Sequence, residues 1–206
     1  MQRGSYLLTN ELALRAIHIV LDNIFPKLVE DGTFKRPDLH MVVLDPVAIY
    51  GGSKPKEHTH FDMDTMIGGP VSSTIQWSPL LQDDIILAEY SIGDPKKWEW
   101  DFKAIARSKA YQTRKYGMPN QLVVERMPWL LHGTDFPFWG SAYRDGLVVA
   151  ASGVQPWYDQ MLSEMVASAA AALCINEMRK PNGILEEDRL HMGTNEEVKN
   201  FNPLYD

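Results

Sequence analysis

Apolar residues recur at helical spacing in two long stretches. Leu12, Ala13, Ala16, Ile17, Val20, Leu21 and Ile24 form the first stripe. Thr9 or Asn10 is placed to cap that helix, with Glu11 near its positive end. Pro26 is expected to kink or restart it, and Asp31-Gly32 to close it. Met161, Leu162, Met165, Val166, Ala169, Ala172, Leu173 and Met178 form the second stripe and predict a helix over 156–179, with Pro156 in its first turn. A third helix is expected from Asp101 to about Tyr116, closed by Gly117 with Pro119 two residues on.

The strand signals differ in kind. Leu39 to Leu44 is a near-continuous apolar run with β-branched residues, which predicts a buried strand. Asp84 to Ser91 reads as a second strand. Phe136 to Tyr143 and Leu147 to Val154 flank Arg144-Asp145-Gly146, and Asp-Gly between two apolar runs predicts a hairpin. Gln121 to Asp135 is mixed. Leu122-Val123-Val124 is β-like, and Pro128 to Gly133 reads as a loop with an apolar body. Between the first two strands lies an irregular stretch, about 51–83, punctuated by Gly51-Gly52, Pro55, Gly68-Gly69-Pro70 and Pro79. Connections of that length are uncommon and usually functional. Phe61, Ile67, Ile75 and Trp77 in it argue for a packed lid. From Pro181 the chain turns polar and aromatic-poor. The expected organisation is one α+β domain over 1–180, carrying the insertion, with a C-terminal extension over 181–206 that wraps the surface or crosses to a neighbouring subunit.

Composition narrows the function classes. With 206 residues, 45% of them apolar, a sizeable core is available. The net charge is −7, and basic residues cluster no further than pairs such as Lys96-Lys97. That argues against a nucleic-acid partner, which needs a basic face. A single cysteine, Cys174, excludes an intramolecular disulfide and is expected to be a buried structural thiol. The start Met1 to Tyr6 has no signal-peptide pattern, and no run reaches the roughly 18 apolar residues of a membrane span. A cytoplasmic protein without a membrane partner is expected. No P-loop, dinucleotide fingerprint or nucleophile elbow is present, so neither NAD nor ATP is expected as cofactor.

The densest reactive stretch is His58-Thr59-His60-Phe61-Asp62-Met63-Asp64. In an extended chain His58, His60, Asp62 and Asp64 share one side. Such a set offers a divalent metal site, or metal-free proton transfer, or a polar loop satisfied by its own hydrogen bonds. The sequence leaves the three open. His132, with Asp135, sits in the aromatic loop and is a further catalytic candidate facing the insertion, or a loop histidine satisfied by backbone. Arg126 is a candidate for a substrate carboxylate, or the partner of Glu125. Trp129, Phe138, Trp139, Trp157 and Tyr158, with Phe61 and Trp77, lie in loops or at element ends. They predict an apolar wall for a small-molecule ligand, or an oligomer interface. His40, within the first strand, is expected to be structural.

Four local patterns resemble the GlcG/HbpS-like family, the haem-degrading domain. They are Leu8 to Ala13 opening the first helix; Ala106-Arg107-Ser108-Lys109-Ala110-Tyr111-Gln112-Thr113 closed by Gly117-Met118-Pro119; Asp145 to Val154, similar to the family's hairpin strand; and the Ala-rich last helix with Asp159-Gln160. The resemblance covers roughly 8–44 and 84–175. It implies a profilin-like antiparallel sheet with helices packed on it, a homo-oligomer and, as one functional alternative, haem or tetrapyrrole binding with His18 as candidate axial ligand. The chain departs from the family in its long insertion, in the Trp129 to Gly140 loop that replaces a Gly-rich one, and in Gln155-Pro156-Trp157-Tyr158.

The expected function is a small-molecule enzyme of lyase, isomerase or hydrolase type. It would act on a small apolar or aromatic metabolite by His/Asp acid–base or metal-assisted chemistry. A non-catalytic haem binder and a structural oligomer module are the alternatives.

Overall fold

The computed structural model describes residues 7–46, 85–133 and 135–179. The expected insertion and the expected C-terminal extension lie outside the described residues. Helix α1 spans Asn10–Glu30 and strand β1 spans Leu39–Leu44; β2 is Ile86–Ile92, and a single 3-10 turn follows at Pro95–Lys97. Then come α2 (Phe102–Tyr116), α3 (Asn120–Arg126), a second 3-10 turn (Pro128–Leu130), β3 (Ser141–Arg144), β4 (Leu147–Ser152) and α4 (Pro156–Met178).

Local chemistry explains most of the boundaries. Thr9 is the N-cap of α1, its hydroxyl accepting the Leu12 N–H at 3.2 Å. Gly117 ends α2 in the left-handed conformation, φ 64°. Asp145 and Gly146 both have positive φ, 48° and 95°, the pair that a tight two-residue hairpin turn requires.

Three expectations change. Pro26 does not break α1, which runs through it to Glu30. Phe25 is buried beside it, and Leu28 and Val29 pack on the core, so tertiary contact carries the last turn past the missing N–H. Residues 122–124 are helical rather than β-like. Buried Val123 anchors α3, and its first residue, Asn120, is fixed by side-chain bonds to the Phe138 carbonyl and the Gly140 N–H. Those same bonds explain why the strand expected from Phe136 starts only at Ser141: Asn120 occupies backbone groups that a ladder would have used.

The sheet is antiparallel, in the order β2-β1-β4-β3. Strands β1 and β4 are central and buried on both faces, which matches their continuous apolar sequences. Leu39, Met41, Val43, Val149 and Ala151 face α1 and α4. Val42, Leu44, Val148 and Ala150 face Ala106 and Ala110 of α2. The fold is therefore α+β, with helices on both faces, a layering compatible with a profilin-like arrangement. Among the described residues no helix is long and apolar enough to cross a membrane. Cys174 is half-buried on α4, less enclosed than expected. Burial first, then the Glu177 charge, raises its thiol above the ordinary value, which disfavours the reactive thiolate.

The α2 face is not wholly apolar. Near the start of β3, Lys109 and Asp159 form a buried ion pair, Nζ to Oδ2 2.9 Å, and Lys109 also donates to the Ala151 carbonyl at 2.9 Å. Asp159 Oδ1 accepts the Val154 N–H. Burial pushes the Asp159 carboxyl up to about 6, against the lowering effect of Lys109 and of the backbone N–H groups. A folded-state value raised above the ordinary 3.8 means that this group's contribution to stability is complete below 3.8 and is lost as the pH rises through 6. Measured against Asp159→Asn, wild-type stability should fall between about pH 4 and pH 6 and level off above. Denaturant unfolding at stepped pH checks this, and a flat difference curve would remove the assignment.

Candidate functional site at the edge strand

Alternation along β1 turns His40, Val42 and Leu44 to the α2 face. In β2, Glu89 and Ser91 share that face, since Ser91 pairs with His40 and Glu89 with Val42. Ser152 of β4 pairs with His40 on the other side. A row of polar side chains thus crosses three strands at the end of the sheet where β1 begins and β2 ends.

His40 is only 2% exposed. Its Nδ1 lies 2.8 Å from the Ser91 hydroxyl and its Nε2 lies 3.4 Å from Glu89 Oε1. Glu89 is clamped by α2. Arg107 donates through Nε at 2.5 Å and Nη2 at 2.8 Å, and Lys103 Nζ approaches to 3.1 Å. Partial burial works to raise the Glu89 carboxyl. The hydrogen bonds from Arg107, His40 and Lys103 outweigh it and hold the carboxyl well below the usual carboxylate range. An ionised carboxylate only accepts, so the Nε2 proton of His40 points at Glu89. In the neutral ring Nδ1 is then an acceptor, and Ser91 Oγ–H donates to it. Trp98 meets the imidazole edge-on at 6.2 Å and packs on Phe102 at 5.4 Å. Its indole N–H is buried without an acceptor among the described residues. The arrangement holds one imidazole between an orienting carboxylate and the hydroxyl of half-buried Ser91, and it can move a proton to or from that hydroxyl.

The residues singled out in the sequence fall in several places. His58, His60, Phe61, Asp62, Asp64 and Trp77 lie outside the described residues. Among the described residues no group of three or more His, Cys, Asp or Glu side chains is arranged to hold a metal ion. His132 is exposed on its loop. Its backbone N–H, not its ring, bonds Asp135 Oδ2 at 2.9 Å. Asp135 also accepts from Tyr116 at 2.7 Å and from Lys115 at 3.2 Å, so it ties the loop to the end of α2. Arg126 is exposed at the end of α3, with Glu125 bonded instead to Gln121. Trp129 is 76% exposed on the second 3-10 turn.

The other aromatics lie at the end of the sheet that holds His40. Phe138, 58% exposed, stands in the loop entering β3, and Trp157, 55% exposed, opens α4. Trp139 and Tyr158 are half-buried, and Tyr158 packs edge-on against Phe34 at 5.1 Å. The loop and α4 meet through Asp159 and Gly140, where a Cβ on Gly140 would lie 2.5 Å from Asp159 Cβ. The structure therefore gathers Phe138, Trp157 and Tyr158 near the start of α4 and leaves Arg126, Trp129 and His132 near the end of α2.

His18 is half-exposed on α1, with Nδ1 3.3 Å from Asp22 and its ring edge-on to Tyr90 at 4.6 Å. A carboxylate and a phenol edge are not the wide apolar slot a porphyrin needs, so these residues do not fit haem, and no haem chemistry is derived from them. An apolar groove of about 470 Å3 runs between α1 and α4, lined by residues such as Ile19, Ile24, Met161 and Met165. It offers no imidazole.

The sequence marks His40 only as structural and does not single out Ser91, Glu89 or Arg107 as site residues. The available signal was weak: a histidine inside an apolar run, and polar residues at alternate positions of the next strand. Only the register joins them. Comparisons with protein-family models, with curated proteins and with solved structures return no match.

Proposed function

We propose that the protein is an acid–base enzyme acting on a small apolar or aromatic metabolite, with His40 as its proton-transfer group. The observation that carries this reading is the imidazole set between Ser91 Oγ at 2.8 Å and Glu89 Oε1 at 3.4 Å. A buried imidazole with both nitrogens engaged and a clamped carboxylate behind it is preorganised for proton transfer. Trp98 supplies apolar surface beside it, with buried Phe102 packed on Trp98. The resemblance to the GlcG/HbpS-like family and the aromatics at the same end of the sheet support a small-molecule ligand. The reaction classes compatible with the site are lyase, isomerase and hydrolase.

The test is a panel of small aromatic esters, lactones, enones and hydroxy acids, followed by absorbance or mass spectrometry. The wild type should turn over at least one class. His40→Gln should reduce its kcat/KM by roughly 100-fold or more while keeping the wild-type circular dichroism. His132→Gln, at an exposed ring, should leave the rate unchanged. Equal turnover by wild type and His40→Gln sinks the reading.

A further inference from the structure

We infer that Ser91 is a nucleophile for acyl transfer and that the substrate class is a small ester or thioester with an apolar or aromatic acyl group. This rests on the reading of His40 as the proton-transfer group. Three observations carry it beyond general acid–base chemistry.

The first is position. Within the described residues β2 pairs only with β1, so Ser91 stands on an edge strand and is partly exposed, whereas His40 is buried behind it. A substrate arriving at the edge meets the hydroxyl before the imidazole, which is the order a nucleophile and its base require. The second is orientation. Glu89 holds Nε2, which turns Nδ1 toward the Ser91 hydroxyl. These are the roles of the serine–histidine–carboxylate arrangement, with the two ring nitrogens exchanged. Arg107 fixes Glu89 through two parallel bonds, so the carboxylate cannot swing away. The third is the spare donor. Trp98 Nε1–H has no acceptor among the described residues, and a Cβ at Gly93, two residues past Ser91, would lie 3.3 Å from it. This buried donor near the end of β2 is assigned to the oxygen of a tetrahedral intermediate. The half-buried Trp98 ring, with buried Phe102 packed on it, supplies the apolar surface for the acyl group.

The chemistry balances without an added reductant or oxidant. Ser91 Oγ forms a bond to the carbonyl carbon as its proton passes to His40 Nδ1. The intermediate collapses, the C–O or C–S bond to the leaving group breaks, and that group takes the proton from Nδ1. Water then adds to the acyl carbon and gives a proton to Nδ1. Collapse releases the acid, and Ser91 Oγ recovers the proton. The sum is ester plus water giving acid plus alcohol, or thioester plus water giving acid plus thiol.

The experiment treats the full chain with an alkyl fluorophosphonate and maps the adduct by peptide mass spectrometry, with 4-nitrophenyl benzoate hydrolysis run in parallel. The expected adduct is on Ser91, formed with loss of fluoride. His40→Gln should slow its formation by roughly 100-fold or more, and Ser91→Ala should abolish it. Circular dichroism of both variants guards against misfolding, and Ser91→Thr serves as a second, milder change expected to retain a slower reaction. An unlabelled Ser91, an adduct at another residue, or an equal labelling rate in His40→Gln overturns the inference. If His40→Gln still loses turnover on the substrate panel while Ser91 stays unlabelled, the acid–base reading stands and the acyl-transfer step fails.

Discussion

Lys109→Met is expected to lower the free energy of unfolding by about 3–5 kcal/mol at pH 7, the cost of stranding a buried charge. In a chain of this size that corresponds to a fall in Tm on the order of 10 °C. The substitution keeps the aliphatic volume and removes only the ammonium. Asp159 is then left 2% exposed with no cation, and the Ala151 carbonyl loses its side-chain donor. The penalty should shrink toward pH 5. The Asp159 carboxyl already sits near 6 with Lys109 present, and without it the carboxyl takes up a proton more readily still. Lys109→Met/Asp159→Asn should lose less than the sum of the two single changes, with a coupling of about 2–3 kcal/mol. Chemical denaturation of the four proteins measures the cycle. Additive losses, or a Lys109→Met penalty independent of pH, would show that the pair contributes nothing specific.

Gly153→Ala should be as damaging, for a different reason. Gly153 has φ 151°, where an L side chain is strained. A Cβ there would lie 2.2 Å from the Asp38 carbonyl oxygen and 2.7 Å from Leu39 Cα. Both are backbone atoms at the start of β1, so no side chain can move aside. Accommodation means separating β4 from β1 at the row that holds His40 and Ser152, at a cost on the order of 3 kcal/mol or more. The variant should unfold several degrees lower, and any esterase activity should fall with it. Gly32→Ala is the control. That glycine also has positive φ, 77°, but a Cβ there meets nothing within 4 Å, so only the conformational strain of about 1 kcal/mol remains. Similar losses for the two variants would refute the steric argument.

How far the chain could be read in advance depended on the range of the forces involved. The α1 and α4 stripes, the Thr9 cap, the Gly117 stop and the Asp145-Gly146 hairpin were legible because each depends on neighbours within a few residues. The buried strand Leu39 to Leu44 was legible because an uninterrupted apolar run is costly to expose. Residues 122–124 and 136–140 were misread because one side chain, Asn120, binds backbone groups 18 to 20 residues away and overrides local propensity. The restart expected at Pro26 does not occur because packing of Phe25, Leu28 and Val29 outweighs one lost hydrogen bond.

The candidate site divides in the same way. Sequence by itself determined that the chain builds an α+β domain with a large core, and that its loops carry many aromatics. It also marked His58, His60, Asp62 and Asp64, which lie outside the described residues. Only the tertiary structure decided that His40, Ser91, Glu89 and Arg107 meet. His40 and Ser91 are 51 residues apart and Glu89 is 18 from Arg107. Their meeting depends on which residues the strand register sets opposite one another, and on where α2 crosses the sheet. A shift of one residue in that register would turn Ser91 and Glu89 to the opposite face, and no local pattern in the chain encodes it.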